Sequence, residues 1–310
     1  MKIGIIDMGT NTFNLLIAEL DHKGGYKPIY RSKVGVKLGE GSFEKKYITE
    51  AAMERAFLAL EAQITAIKNQ YCDKVLAFAT SAVRGASNAN DFVRKVKERF
   101  GISIHVIDGD REASMIYNGV QLSGALNQEN ALIMDIGGGS TEFVAANDQE
   151  IIWKRSYELG VSRLLEKHKP EDPIKPETLA KIEESLERQI SEMFEIVERE
   201  GIKTLIGSSG SFDTFSDVIS KRIGNFEDTI NLVSLDFNRE TLDNHLDELI
   251  GSSRIDREAM DGMVAMRVNM IVMSAIFVRL VLKKTNIETV KLSKYSLKEG
   301  VLFEVLKGNL

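Results

Sequence analysis

The chain contains one cysteine, Cys72, so no disulfide can form within it, and the expected setting is a reducing cytoplasm. Its four histidines fall at none of the spacings that bind zinc, and His22 is read within a turn. The N-terminus enters a strand at once, without the charged, apolar and small-residue succession of a secretory leader. Only Met263 to Leu282 is apolar enough to suggest a membrane span. Arg267, Asn269 and Arg279 interrupt it, and the two arginines would be costly in lipid. A buried helix is expected there, and no membrane partner. Positive charge is not in excess: the formal net charge is -6, which argues against nucleic acid as a partner. A local cluster of Arg and Lys can still hold an anionic substrate. The 310 residues, 43% hydrophobic and 28% charged, suit two domains with substantial cores.

What is present centres on Ala131-Leu-Ile-Met-Asp-Ile-Gly-Gly-Gly-Ser-Thr-Glu-Phe143. The apolar run reads as a buried strand ending at Asp135. Gly137, Gly138 and Gly139 leave room for backbone N–H groups to close around a phosphate, and Ser140 and Thr141 add donors. Asp135 and Glu142 are hard oxygen ligands of the kind Mg²⁺ prefers. Alone, this stretch also fits a glycine-rich hairpin. A second copy changes the balance. The chain opens Lys2-Ile-Gly-Ile-Ile-Asp-Met-Gly-Thr-Asn-Thr-Phe13, and aligning Asp7 with Asp135 aligns Gly9 with Gly137. Two such units suggest a duplicated α/β fold, with a phosphate loop from each half facing one cleft.

The elements follow in order. Strands are expected over Phe13–Leu20 and Lys27–Val36, joined by a turn at Asp21–Gly25. Thr49 caps a helix whose apolar face carries Met53, Ala56, Phe57, Leu60, Ile64 and Ile67. Lys74–Ala79 is a strand, Asn90–Phe100 a helix closed by Gly101, Ile102–Ile107 a strand, and a short helix runs to about Leu122. The second half repeats the meander through Ala131–Asp135, Phe143–Ala146 and Ile151–Tyr157, then turns at Glu158–Arg163. Three prolines precede one long helix, Glu177 to about Glu198. The strand Lys203–Ile206 meets a third loop, Gly207-Ser-Ser-Gly-Ser211, ahead of a helix whose positive end suits a phosphate. Helices near Asn238–Ile250 and Asp261–Lys283, a strand Ile287–Leu292 and a helix Ser296–Leu306 complete the chain.

Six stretches now form a pattern: Asp7-Met-Gly-Thr-Asn-Thr12, Ala79-Thr-Ser-Ala-Val-Arg84, Glu112-Ala-Ser-Met-Ile-Tyr117, Asp135–Glu142, Gly207–Ser211 and Lys298-Glu-Gly300. In this order the chain resembles the exopolyphosphatase and guanosine pentaphosphate phosphohydrolase (Ppx/GppA) family. It resembles the short form, without the additional C-terminal helical domains of longer members. That family lies in the actin, sugar-kinase and heat-shock ATPase superfamily. The resemblance implies two ribonuclease-H-like α/β domains around a central cleft, residues 1–122 with 296–310 and residues 123–295. It implies Mg²⁺- or Mn²⁺-assisted attack of water on the terminal phosphate of inorganic polyphosphate or guanosine pentaphosphate, and a homodimer.

Asp7, Asp135 and Glu142 would then hold the metal, while Glu112 matches the proposed general base and Glu142 is a second catalytic candidate. Phosphate would be bound by Gly9, Thr10, Asn11 and Thr12, by Ser81 and Arg84, by Gly137, Gly138, Gly139, Ser140 and Thr141, and by Gly207, Ser208, Ser209, Gly210 and Ser211. Arg31, Lys33, Arg163, Arg267, Lys294 and Lys298 are candidates to line the cleft. A superfamily kinase would need an adenosine pocket, and a non-catalytic sensor of guanosine tetraphosphate or polyphosphate would gain nothing from four acids. Both remain as alternatives.

Overall fold

The computed structural model describes residues 1–21, 24–41 and 46–310; His22 and Lys23, within the expected first turn, lie outside them. The first half runs β1 (Lys2–Met8), β2 (Thr12–Leu20), β3 (Tyr26–Gly35), α1 (Glu50–Asn69), β4 (Lys74–Ala79), α2 (Ser81–Arg84), α3 (Ala89–Phe100), β5 (Ile104–Val106) and α4 (Gly109–Leu122). Its sheet has the order β3-β2-β1-β4-β5. The meander is antiparallel, and β4 and β5 add in parallel beyond β1. In register, Asp7 stands opposite Asn14, and Asn14 opposite Lys33. One face of this sheet is covered by α1 and α3, where Phe57 stacks on Phe92 at 6.0 Å. Thr49 caps α1 as expected, its hydroxyl accepting from the Ala52 N–H.

The second half contains β6 (Ala131–Ile136), β7 (Thr141–Ala146), β8 (Ile151–Tyr157), α5 (Val161–His168), α6 (Pro176–Gln189), α7 (Ser191–Arg199), β9 (Thr204–Ser208) and α8 (Ser209–Ile223). There follow α9 (Phe226–Thr229), β10 (Ser234–Phe237), α10 (Arg239–Gly251), α11 (Arg254–Ala259), α12 (Ile271–Lys284), β11 (Thr289–Ser293) and α13 (Leu297–Leu306). The sheet order is β10-β11-β9-β6-β7-β8, so this is an α/β fold with two mixed sheets. Asp135 pairs across to Glu142, as Asp7 does to Asn14. Among the described residues, no helix is long and apolar enough to cross a membrane.

Several expected elements differ. The turn at Glu158–Arg163 is already entering α5 at Val161. The long helix from Glu177 is two, broken at the buried Ile190, where the backbone leaves the helical region. That break re-aims the second piece, so Met193, Ile196 and Val197 reach the same core as Ile182 and Leu186. The apolar run after Met263 becomes helical only at Ile271. Before it, the Arg267 N–H donates to the Val264 carbonyl at 2.7 Å and the Met270 N–H to the Arg267 carbonyl at 2.8 Å, a pair of tight turns. This leaves Arg267 off the helix and able to reach inward.

Helices α4 and α13 lie between the sheets. Met115, Ile116, Val120, Leu297, Val301 and Leu302 pack in one cluster with Ile3, Ile5 and Leu16 of the first sheet and Ile133, Val144 and Ile206 of the second. α13 touches α4 along its length and reaches β1 and β2. The two helices cross through glycines. A Cβ on Gly300 would stand 1.7 Å from the Met115 carbonyl oxygen, and one on Gly119 would stand 2.1 Å from that of Ser296. Gly300→Ala is therefore expected to destabilise by about 3 kcal/mol through overpacking against backbone. Gly251→Ala, in a helix with open space around it, should be neutral or slightly stabilising. Urea midpoints of the two variants check this; equal midpoints would contradict the close crossing.

Candidate active site

The strand pairs β1–β2 and β6–β7 turn in the same way. The Gly9 N–H donates to the Thr12 carbonyl at 3.0 Å, and the Gly137 N–H to the Ser140 carbonyl at 3.0 Å. The duplication read in the sequence is thus a duplication of backbone geometry. The two turns press together across a cleft: a Cβ on Gly138 would lie 2.5 Å from the Asn11 amide, and one on Gly139 would lie 2.5 Å from Ser81 Oγ. Only glycine allows that approach. Gly9, Thr10, Asn11, Thr12, Gly137, Gly138, Gly139 and Ser140 line the cleft, joined by Ser209 and Gly210 from the start of α8.

The same cleft gathers Asp7, Glu112, Asp135 and Glu142. Asp7 accepts a hydrogen bond from Asn14 Nδ2 at 2.9 Å, yet burial raises its pKa to about 6. Asp135 accepts from the hydroxyls of Ser209 at 2.7 Å and Ser296 at 2.6 Å, and burial still raises its pKa. Glu112 sits in the first turn of α4, behind the N-cap Asp108, and receives Arg84 Nη1 at 2.8 Å. Its burial outweighs that cation and lifts the pKa to about 7. Glu142, 1% exposed, accepts from Ser156 Oγ at 2.7 Å; burial, then Glu112 and Asp135, push its pKa well up. These acids oppose one another's ionisation, and a cation would relieve them.

Among the described residues, no three Asp, Glu, His or Cys side chains form a ready metal cage. Mg²⁺ seldom needs one: it is commonly held by one or two carboxylates, substrate phosphates and water. Asp7 and Asp135, one from each half, fit that donor set. Glu142, expected as a third ligand, has one oxygen engaged by Ser156.

Basic residues face the acids. Lys33, Arg267, Lys294 and Lys298 line the cleft, although the Lys294 ammonium donates to the Thr229 and Ile230 carbonyls rather than to an acid. Burial alone would lower the Lys298 pKa, but Glu299 and Asp7 outweigh it and the pKa rises. Arg31 lies instead over the Tyr295 ring, 3.9 Å from Glu299, and the Nε of Arg163 donates to the Gly139 carbonyl.

Other expected ligands are placed elsewhere. Arg84 Nη1 is taken by Glu112 and the Ile107 carbonyl, because α2 sets it beside the first turn of α4. The Thr141 hydroxyl donates to the Leu159 carbonyl, and Ser81 lies behind Gly139 on a separate small cavity with Arg163 and Glu158. In the third loop, Gly207 and Ser208 belong to β9 and α8 starts directly at Ser209. Ser208 Oγ turns inward to the Tyr295 carbonyl and Ser211 Oγ to Ser274, while a Cβ on Gly207 would strike the Phe212 ring. Gly207 and Ser211 serve packing, while Ser208 also hydrogen-bonds Asp135.

Sequence reasoning missed Asn14, Asp213 and Ser296. Asn14 could have been found, because alternation two residues past Thr12 puts it beside Asp7. Asp213, whose pKa burial lifts to about 6, follows the third loop within one helical turn. Ser296 reaches Asp135 across 161 residues, and no local signal announces it.

A pH dependence of stability follows. Glu112 and Asp213 hold protons in the fold that the unfolded chain releases near pH 4. Their contribution is therefore greatest below the unfolded values and is lost as pH rises through about 6 to 7. Metal-free protein in chelator should be more stable at pH 6 than at pH 8, by on the order of 2 kcal/mol. Thermal unfolding at the two values reads this directly, and a lower midpoint at pH 6 would contradict it.

Comparison with known proteins places this geometry. The sequence profile of the Ppx/GppA phosphatase family matches residues 16–309. Exopolyphosphatase 1 of Mycobacterium tuberculosis is 26% identical over 312 residues, 99% of this chain and 88% of its own. The guanosine-5'-triphosphate,3'-diphosphate pyrophosphatase of Aeromonas salmonicida is also 26% identical, over 98% of this chain and 59% of its own. The crystal structure of an exopolyphosphatase from Cytophaga hutchinsonii superposes with a TM-score of 0.96 at 34% identity, covering 99% of this chain and 98% of that one. An Aquifex aeolicus member of the Ppx/GppA family gives a TM-score of 0.81 at 24% identity, over 100% and 99%, and shares the fold.

Proposed function

Since the chain belongs to the Ppx/GppA phosphatase family, we propose that it removes the terminal phosphate of inorganic polyphosphate by attack of water, and can act likewise on guanosine pentaphosphate. The observation that carries this reading is the apposition of two glycine turns and four acids in one cleft that also holds basic side chains. Phosphoryl transfer needs position and charge neutralisation more than covalent help. In this reading the N–H groups of Gly138–Ser140 and Thr10–Thr12 seat the terminal phosphate, those of Gly9 and Gly137 being used within the turns. Glu112 accepts the proton of the attacking water, and Arg84 fixes its carboxylate. Asp7 and Asp135 hold Mg²⁺ or Mn²⁺, which when bound neutralises phosphate charge. Glu142 orients water beside Glu112.

The packing of α13 on α4, β1 and β2 supports residues 1–122 with 296–310 as one domain and 123–295 as the other. A cytoplasmic homodimer belongs to the same proposal, from the family alone. The test compares orthophosphate release from polyphosphate and guanosine pentaphosphate with phosphate transfer from ATP to sugars. Release from a phosphoanhydride supports the hydrolase, and transfer from ATP the kinase alternative.

A further inference from the structure

Ser209 stands in the left-handed region, with φ +68°. An L-residue adopts that conformation against steric resistance, whereas glycine adopts it freely. β9 ends at Ser208 and α8 starts at once, so the chain must turn within a single residue. The adjoining Gly210 does not take the left-handed place; the serine does. What serine has there and glycine lacks is a hydroxyl, and that hydroxyl donates to Asp135 Oδ2 at 2.7 Å. Strained residues of this kind cluster at functional sites, held by the structure around them.

A second hydroxyl ends on the same atom. Ser296 Oγ donates to Asp135 Oδ2 at 2.6 Å, and the two serine oxygens lie 3.4 Å apart. Ser296 is itself fixed from the other side. Its N–H donates to Glu299 Oε2 at 3.1 Å, and its carbonyl lies against Gly119 of α4, the helix whose first turn carries Glu112. One oxygen of Asp135 is thus gripped between the start of α8 and the start of α13, and Ser208 of β9 adds a further hydrogen bond to the carboxylate. The first half has a smaller version, in which Asn14 Nδ2 donates to Asp7 Oδ2 at 2.9 Å. Burial alone asks for donors on either oxygen of an acid. Two hydroxyls on one oxygen fix an orientation, with Oδ1 turned away from both.

We propose that Ser209 and Ser296 are positioning residues, which hold Asp135 so that Oδ1 is the oxygen presented to Mg²⁺ or Mn²⁺. The inference rests on the hydrolase reading above, in which Asp135 holds that cation. A carboxylate free to rotate must be ordered when a cation binds, and partners that order it beforehand raise affinity. The same contact ties Asp135 to the crossing of α4 and α13, which pack in one cluster. The separation between the cation and the Glu112 carboxylate is then set by a single packed unit.

Mn²⁺ binding in the presence of orthophosphate, read by electron paramagnetic resonance, tests this without turnover. Ser209→Gly and Ser296→Ala should each weaken Mn²⁺ binding about tenfold or more, the usual effect of removing an outer partner of a metal ligand. Ser296→Thr, which restores a hydroxyl, should recover most of that loss. In chelator, Ser209→Gly should melt no lower than wild type, because backbone strain is released as the hydrogen bond is lost. It therefore reads binding even where Ser296→Ala unfolds. A merely structural hydroxyl gives the reverse, a lower melting temperature with Mn²⁺ affinity unchanged. Unchanged affinity in Ser209→Gly, beside a loss in Asp135→Asn, overturns the positioning role and leaves the hydrolase reading standing. Wild type that binds no Mn²⁺, or Asp135→Asn that binds it as wild type does, overturns the metal assignment of the hydrolase reading itself.

Discussion

Glu112→Gln is expected to lower turnover by about 10²–10⁴-fold, the usual contribution of a positioned base. The substitution keeps the shape of the side chain and an oxygen for Arg84, now 2.8 Å from the carboxylate. It removes the proton acceptor. Polyphosphate binding should hold or tighten, because a negative charge near the polyanion is gone. The buried carboxyl, with its pKa at about 7, also sets the pH profile. A base must be ionised, so wild-type kcat/KM should fall as pH drops below that value, and the variant should lose this limb. Single-turnover phosphate release across pH, with binding measured separately, checks both parts. Near-normal turnover in the variant would make Glu112 a helix-terminal charge, and Glu142 would become the candidate base.

Asp135→Asn differs in kind. Asparagine can still accept the hydroxyls of Ser209 and Ser296, so local structure should survive. What disappears is one of the two carboxylates that suit Mg²⁺. Turnover should fall by at least about 100-fold, at the low end of what one electrostatic group supplies in such sites. Mg²⁺-dependent substrate binding should weaken with it, and added Mg²⁺ should restore part of the loss. In chelator the variant should unfold at a slightly higher temperature than wild type, since a buried acid whose ionisation is opposed has been neutralised. Activity titrated with Mg²⁺ and melting in chelator make the comparison. Full activity in excess chelator would remove the metal from the account.

The two glycine turns were legible because their signal is local. A strand tip, an acid, glycines and hydroxyls lie within a few residues, and the Asp7 and Asp135 copies reinforced each other. Strands such as Lys74–Ala79 and Ile151–Tyr157 were read to the residue, since periodicity and bounding turns act over the same short range. The break at Ile190 was not legible. Both flanking helices keep an apolar stripe, and only the shared core shows that the stripe must be re-aimed. The contact between Arg84 and Glu112 was not legible for a similar reason. The arginine's place after Thr80 and Ser81 suggested an anion, but its partner is set by how α2 meets α4. Asp213 and Ser296 reach the cleft through α8 and the cap of α13, across distances in sequence that no motif spans.

The most direct measurement is hydrolysis of tripolyphosphate in ¹⁸O-enriched water with Mg²⁺, the products resolved by mass. The account predicts one ¹⁸O in each orthophosphate released, with unlabelled pyrophosphate as the remaining chain. Label in the pyrophosphate instead, or no orthophosphate at all, would contradict it.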